Sequence, residues 1–177
     1  MEFIKTEIED LIIIKPSVNK DERGYFMEAF KESIFKDKFP HINFIQDNES
    51  ASKYGILRGL HFQINPFSQT KLVRVSYGEV LDVAVDLRKK SKTFGKYFSI
   101  NLNSNNKLQL LIPRGFAHGY VVLSDHAIFN YKVDSIYSPN HEKGIIWNDP
   151  NINIDWKIPI DEIKLSKKDK NFKNFNF

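Results

Sequence analysis

The sequence predicts an all-β protein, an antiparallel sandwich or barrel with only a few short helices. Three observations carry that expectation. Apolar residues recur mostly with a period of two, short candidate strands follow one another at roughly ten-residue spacing, and turn-forming residues separate them. "LVRVSYGEVLDVAVDLR" (Leu72–Arg88) reads as two strands about Tyr77-Gly78-Glu79. In the second, Leu81, Val83, Val85 and Leu87 share one face, while Asp82, Ala84 and Asp86 share the other. Further strands are expected over Lys96–Leu102, Leu108–Ile112, Gly119–Leu123 and Ala127–Asp134. Between them lie the turn signals "NSNN", "PRG" and "SD". "FKESIFKDKF" (residues 30–39) reads as helix, and the C-terminal tail is a second helical candidate. No internal repeat or linker divides the chain, so residues 1–177 are expected to form one domain.

A chain of 177 residues can bury a sizeable core, and fifteen Phe, seven Tyr and two Trp supply large apolar side chains. Net charge is only +4, from 26 basic and 22 acidic residues, with most of the excess in the tail "LSKKDKNFKNFNF". There is no basic face with interleaved aromatics and no nucleic-acid motif, so the balance fits a small anionic ligand better than a nucleic acid. Cysteine is absent, which excludes disulfides, thiolate nucleophiles and zinc–sulfur sites. "MEFIKTEIED" is acidic and lacks an apolar segment before a cleavage site, and "LIII" (Leu11–Ile14) is far too short to cross a bilayer. A soluble cytoplasmic protein is expected.

Two half-motifs sharpen the fold. Gly55, His61 and Gly78 form the first, and "PRGFAH" (Pro113–His118), a P-x-G-x-x-H pattern, forms the second. Together they resemble the two motifs of the cupin superfamily, a small jelly roll or double-stranded β-helix. In the second, Pro fixes φ and Gly permits positive φ, so the turn can deliver His118 into the barrel mouth. A metal-binding cupin would carry H-x-H, then Glu, then the later His. Here Gln63 stands two residues after His61, and "INPFSQT" supplies no carboxylate. Two histidines remain where zinc or iron sites usually take at least three protein ligands, so no metal is expected. His41, His126 and His141 lie in polar, loop-like contexts and read as surface residues.

Other residues could supply chemistry instead. Lys71 shares its strand face with Val73, Val75 and Tyr77, which points it inward unless it snorkels to solvent. An inward ammonium would partner a developing oxyanion. Tyr131 shares a face with Phe129 and Val133, as a satisfied core tyrosine or as a functional one. Arg58 is either a surface cation or a bidentate phosphate ligand. In a regular strand it would face away from His61, but Gly59 between them allows a bulge that lets both reach one cavity. Histidine, lysine and tyrosine converging without a metal suggest proton transfer beside a carbonyl.

The segments "FIQDNESASKYGILRGLHFQ", "QTKLVRVSYGEVLDVAVDLRKKSKTFGK", "LLIPRGFAHGYVVLSD", "YKVDSIYSPNHEKGIIWNDP" and "LSKKD" closely resemble the dTDP-4-dehydrorhamnose 3,5-epimerases, metal-free cupins of deoxysugar biosynthesis. The similarity runs from about Lys15 to Asp169. It implies that His61 is the base for the C3 and C5 protons, paired with Asp169. Lys71 would stabilise the enolate oxygen, and Tyr131 would return the proton from the opposite face. Tyr137 would line the sugar pocket, with Asp82 and His118 near the base and lysine. Gln46, Asn48 and Arg58 would hold the thymine and diphosphate, while Arg23, Phe26 and Glu28 would reach in from a neighbouring subunit. The resemblance further implies a homodimer with exchanged N-terminal strands (about residues 1–50), a C-terminal tail (about 160–177) covering the barrel, and no cofactor. Open alternatives are epimerisation at C3 or C5 alone on a dTDP- or GDP-linked sugar, a metal-dependent cupin, and a sugar-nucleotide-binding cupin without catalysis.

Overall fold

In the computed structural model, residues 1–175 are described, and two antiparallel sheets pack against each other. The end of the expected tail, residues 176 and 177, lies outside the described residues. In chain order the strands are β1 (Glu2–Lys5), β2 (Ile12–Lys15), β3 (Val18–Asp21), β4 (Gly24–Met27), β5 (Gln46–Lys53), β6 (Leu57–Gln63) and β7 (Lys71–Tyr77). They continue as β8 (Glu79–Asp86), β9 (Tyr97–Asn103), β10 (Gln109–Ile112), β11 (Phe116–Val122), β12 (His126–Val133) and β13 (Glu142–Gly144). One sheet runs β1-β2-β10-β7-β12-β5, the other β13-β6-β11-β8-β9, and β3 with β4 makes a separate hairpin. This is the cupin-like jelly roll that the sequence predicts, with strand ends shifted by up to three residues.

Alternation along the strands produces three apolar layers. Between the sheets, Val73, Val75, Ala127 and Phe129 meet Val80, Ala84, Tyr120 and Val122. Leu81, Val83 and Val85 do share a face, but it points away from this interior and is covered by Ile145, Ile152 and Trp156. Both faces of β8 are therefore buried, and Asp82 lies on the inner one with Ala84. On the outer face of the six-stranded sheet, Ile14, Leu72 and Leu111 are covered by Phe35 and Ile42. Phe3, Phe30, Phe39 and Phe44 complete that layer, with Phe3 and Phe35 meeting edge-on at 5.9 Å and 75°. Each fully buried apolar side chain contributes about 1.5–3 kcal/mol. Leu60→Ala, at a side chain with 0% exposure, would cost about 2–5 kcal/mol.

The helix is shorter than its apolar pattern. α1 (Glu32–Lys38) buries Phe35 and carries a Glu32–Lys36 ion pair at 2.8 Å one turn apart. The helical reading of the C-terminal tail is corrected. Among its described residues only single 3₁₀ turns occur, at Ile160–Glu162 and Asp169–Asn171. A longer helix is precluded by single bridges to the barrel, Lys164 to Ile56 and Lys173 to Ile145, and by the Phe175 N–H, which donates to Asp149 Oδ2 at 2.5 Å. Among the described residues no helix is long and apolar enough to cross a membrane.

Candidate active site

A cavity of about 560 Å³ opens between the sheets, within the range of small-ligand pockets. One wall comes from β6 and β11 with Arg58, His61, His118 and Tyr120; the other comes from β7 and β12 with Lys71, Phe129 and Tyr131.

On the five-stranded wall, Gly59 has φ +146°, and a Cβ there would fall 2.6 Å from Gly119 Cα. The β6–β11 register shifts between His118 and Tyr120, so Arg58 and His61 both line the cavity despite their odd spacing. His61 Nε2 pairs with Asp169 Oδ1 at 2.7 Å, leaving Nδ1 as the ring's other nitrogen. Burial raises the Asp169 carboxyl, but hydrogen bonds from His61, the Gly59 backbone and Ser166, with the charge of His61, outweigh it. The net shift is downward, so Asp169 stays ionised. The edge of Phe172 packs on the His61 ring, at 5.6 Å between centroids. Behind this pair, Gly115 (φ +85°) turns the chain after Pro113, and His118 Nε2 meets Asp82 Oδ2 at 2.9 Å. Burial pushes the His118 imidazole down against the pull of Asp82, keeping it neutral at pH 7. Asp82 itself is fully buried, and its Oδ1 has no hydrogen-bond partner among the described residues.

On the six-stranded wall, Lys71 points into the cavity rather than to solvent. Burial pushes its ammonium down to about 8, against the attraction of Asp82 and Glu142. The Tyr131 hydroxyl is pushed up, first by burial and then by Tyr120, with Arg58 pulling the other way. Among the described residues neither Lys71 Nζ nor the Tyr131 hydroxyl has a hydrogen bond within the protein. At the rim, Tyr137 donates to Glu142 Oε2 at 2.6 Å, and Lys168 pairs with the same carboxylate.

His61, Asp169, Lys71, Tyr131, Arg58, His118 and Tyr137 thus meet at one cavity, with Asp82 behind it. Gln46 and Asn48 do not join them; they bond to each other at 2.7 Å on edge strand β5. Arg23, Phe26 and Glu28 also lie off the cavity of their own chain. Arg23 pairs with Asp21, Phe26 is 67% exposed, and Glu28 pairs with Lys31 at 2.9 Å. Ser50, Gln69, Glu142 and Lys168 line the cavity although sequence reasoning missed them. His141 is not a free surface residue: Phe67 lies 4.5 Å from its ring, and Ser138 bonds its Nδ1. Among the described residues no group of three or more His, Asp or Glu is arranged to hold a metal.

Known proteins resemble this chain in sequence and fold along nearly its whole length. A family model described as dTDP-4-dehydrorhamnose 3,5-epimerase matches residues 5–176. A relative of that name from Shigella flexneri is 52% identical over 99% of this chain and 96% of its own length. A crystal structure of the same-named protein from Elizabethkingia anophelis has a TM-score of 0.94 at 49% identity, covering 99% of this chain and 96% of that one. A dTDP-6-deoxy-D-glucose-3,5-epimerase from Legionella pneumophila, solved in complex with dTDP-4-keto-L-rhamnose, has a TM-score of 0.93 at 44% identity, covering 98% and 92%. The agreement in sequence, fold and length leaves one conclusion: the chain belongs to the dTDP-4-dehydrorhamnose 3,5-epimerase family.

Proposed function

We propose that this protein converts dTDP-4-dehydro-6-deoxyglucose to dTDP-4-dehydrorhamnose by inverting C3 and C5. Both carbons flank the C4 ketone, so loss of either hydrogen gives an enolate. His61 removes the proton, and ionised Asp169 holds the ring and stabilises the imidazolium. The Lys71 ammonium stabilises the negative oxygen at C4. Tyr131, kept protonated by its burial, returns a proton to carbon from the other side. The observation that carries this reading is that His61 and Tyr131 stand on strands of opposite sheets and line one cavity that also holds Lys71. A base and an acid on opposite walls can address opposite faces of a sugar ring between them.

Arg58, whose Nε donates to Ser52 Oγ at 3.0 Å on the His61 wall, would hold the diphosphate through its terminal N–H groups. We read residues 1–177 as one epimerase domain acting as a homodimer with exchanged N-terminal strands. In that assembly Gln46 and Asn48 of edge strand β5, with Arg23 and Phe26 of the β3–β4 hairpin and Glu28 just after it, would complete nucleotide sites shared between subunits.

The test is incubation of purified protein with dTDP-4-keto-6-deoxyglucose in heavy water. Deuterium at both C3 and C5 is expected. Incorporation at C3 alone would reassign the protein as a 3-epimerase, and none at either carbon would overturn the reading. Dialysis against EDTA is expected to leave the rate unchanged.

A further inference from the structure

Gln63 stands where a metal-binding cupin would keep its second histidine, and the proposed reaction assigns it no proton to move. The residue is nevertheless only 8% exposed, and three backbone groups engage its amide. Nε2 donates to the carbonyls of Phe67 at 2.7 Å and Ile136 at 3.0 Å, while Oε1 accepts the Ser138 N–H at 2.6 Å. These partners come from two different loops, one joining β6 to β7 and the other following β12. A second amide assists: Gln69 Nε2 donates to the Ser135 carbonyl at 2.8 Å. Between the fixed backbone groups sits Tyr137, 54% exposed at the cavity rim beside Ile136 at 57%. Side chains this exposed give the loop little packing of its own, so polar contacts to its backbone hold it in place.

We propose that Gln63 is a positioning residue, a clamp that fixes the 135–138 loop so that Tyr137 presents its ring to the sugar nucleotide. This rests on the cavity being the nucleotide-sugar site. The residue type is specific to the task. Glutamine offers two N–H donors and an acceptor on one planar group; glutamate would set acceptors against two carbonyls, histidine has one donor too few when neutral, and leucine has none. Breaking the clamp should loosen ground-state and transition-state binding together, raising KM while sparing kcat.

Three readouts on Gln63→Leu test the clamp. Hydrogen exchange of the Ser138 amide should accelerate by roughly tenfold or more, because a buried donor loses its acceptor. The Kd for dTDP-glucose, an unreactive nucleotide that carries a sugar, and the KM should rise roughly tenfold, with kcat within about threefold. In Gln63→Leu with Tyr137→Ala, the Kd should be no weaker than in Tyr137→Ala alone, since both changes remove one contact. Should Gln63→Leu fail to fold, Gln63→Met, which keeps the chain length but has neither the two N–H donors nor the carbonyl acceptor, is read in the same way. Unchanged Ser138 exchange, a loss confined to kcat, or additive effects in the double variant would each overturn the clamp. A wild type that neither binds dTDP-glucose nor exchanges substrate hydrogens would instead overturn the proposed function, while Ser138 exchange still decides whether Gln63 holds the loop.

Discussion

On the five-stranded wall of the cavity each imidazole is tied to a carboxylate, His61 to Asp169 and His118 to Asp82. On the six-stranded wall, by contrast, Lys71 and Tyr131 are unpaired among the described residues, and burial rather than a partner is the largest influence on their protonation. The difference fits the two tasks proposed for these walls. A base must hold one tautomer and orientation before substrate arrives, which a fixed carboxylate supplies. An acid and an oxyanion stabiliser must keep their hydrogen-bonding capacity for the substrate, and low solvation strengthens what they then do.

Substitutions that strip one wall while sparing the other sharpen this contrast. The largest loss is expected from His61→Ala, which should cut turnover by roughly 10²–10⁴ and abolish hydrogen exchange with solvent at both carbons. Tyr131→Phe should cut product formation on a similar scale of roughly 10²–10⁴, yet deuterium should still enter substrate on the face that His61 serves. Equal loss of exchange in both variants would break the division between walls. Asp169→Asn keeps the imidazole but removes its partner's charge, and a smaller loss of roughly 10- to 100-fold in kcat is expected.

Lys71 supplies the pH test. Its ammonium is charged below about 8 and neutral above, so kcat/KM should fall as pH rises through about 8. A profile flat to pH 9.5 would remove Lys71 from the electrostatic role. The smallest effect is on stability. The folded value of about 8 lies below the ordinary 10.5, so between them the unfolded chain binds the extra proton. The lysine therefore detracts from stability below pH 8, and that penalty is relieved as pH rises from about 8 to 10.5. Lys71→Met should raise Tm at pH 7 and lose this pH dependence; calorimetry showing a lower Tm would contradict it.

Much of the barrel was legible because its central strands are apolar on at least one face with period two, as in "LVRVSYGEVLDVAVDLR". What the pattern concealed was which apolar face lay inside. Leu81, Val83 and Val85 face a second layer made by distant residues such as Trp156, and strand periodicity carries no information about such a partner. β5, "QDNESASK", escaped notice because an exposed edge strand is held by its ladder to β12 and needs few apolar side chains. The site divides similarly. Lys71 and Tyr131 announced themselves as polar groups on apolar faces, whereas Asp169, in "LSKKDK", looks solvated until the tail is seen folded under His61. Only resemblance to the family pointed to it. Glu142 and Lys168 lie in charged, irregular stretches where a cavity residue and a solvated one look alike.

The missing side chain at position 59 also limits how this scaffold can diverge. Even the smallest replacement, alanine, would press a methyl carbon to 2.6 Å from Gly119 Cα, so the offset between the imidazole and the neighbouring guanidinium is locked. A designer seeking a different sugar cannot retune that spacing one substitution at a time. The adjustable ground is the entrance, where longer or shorter loops would alter what fits while the histidine and arginine beneath keep their geometry.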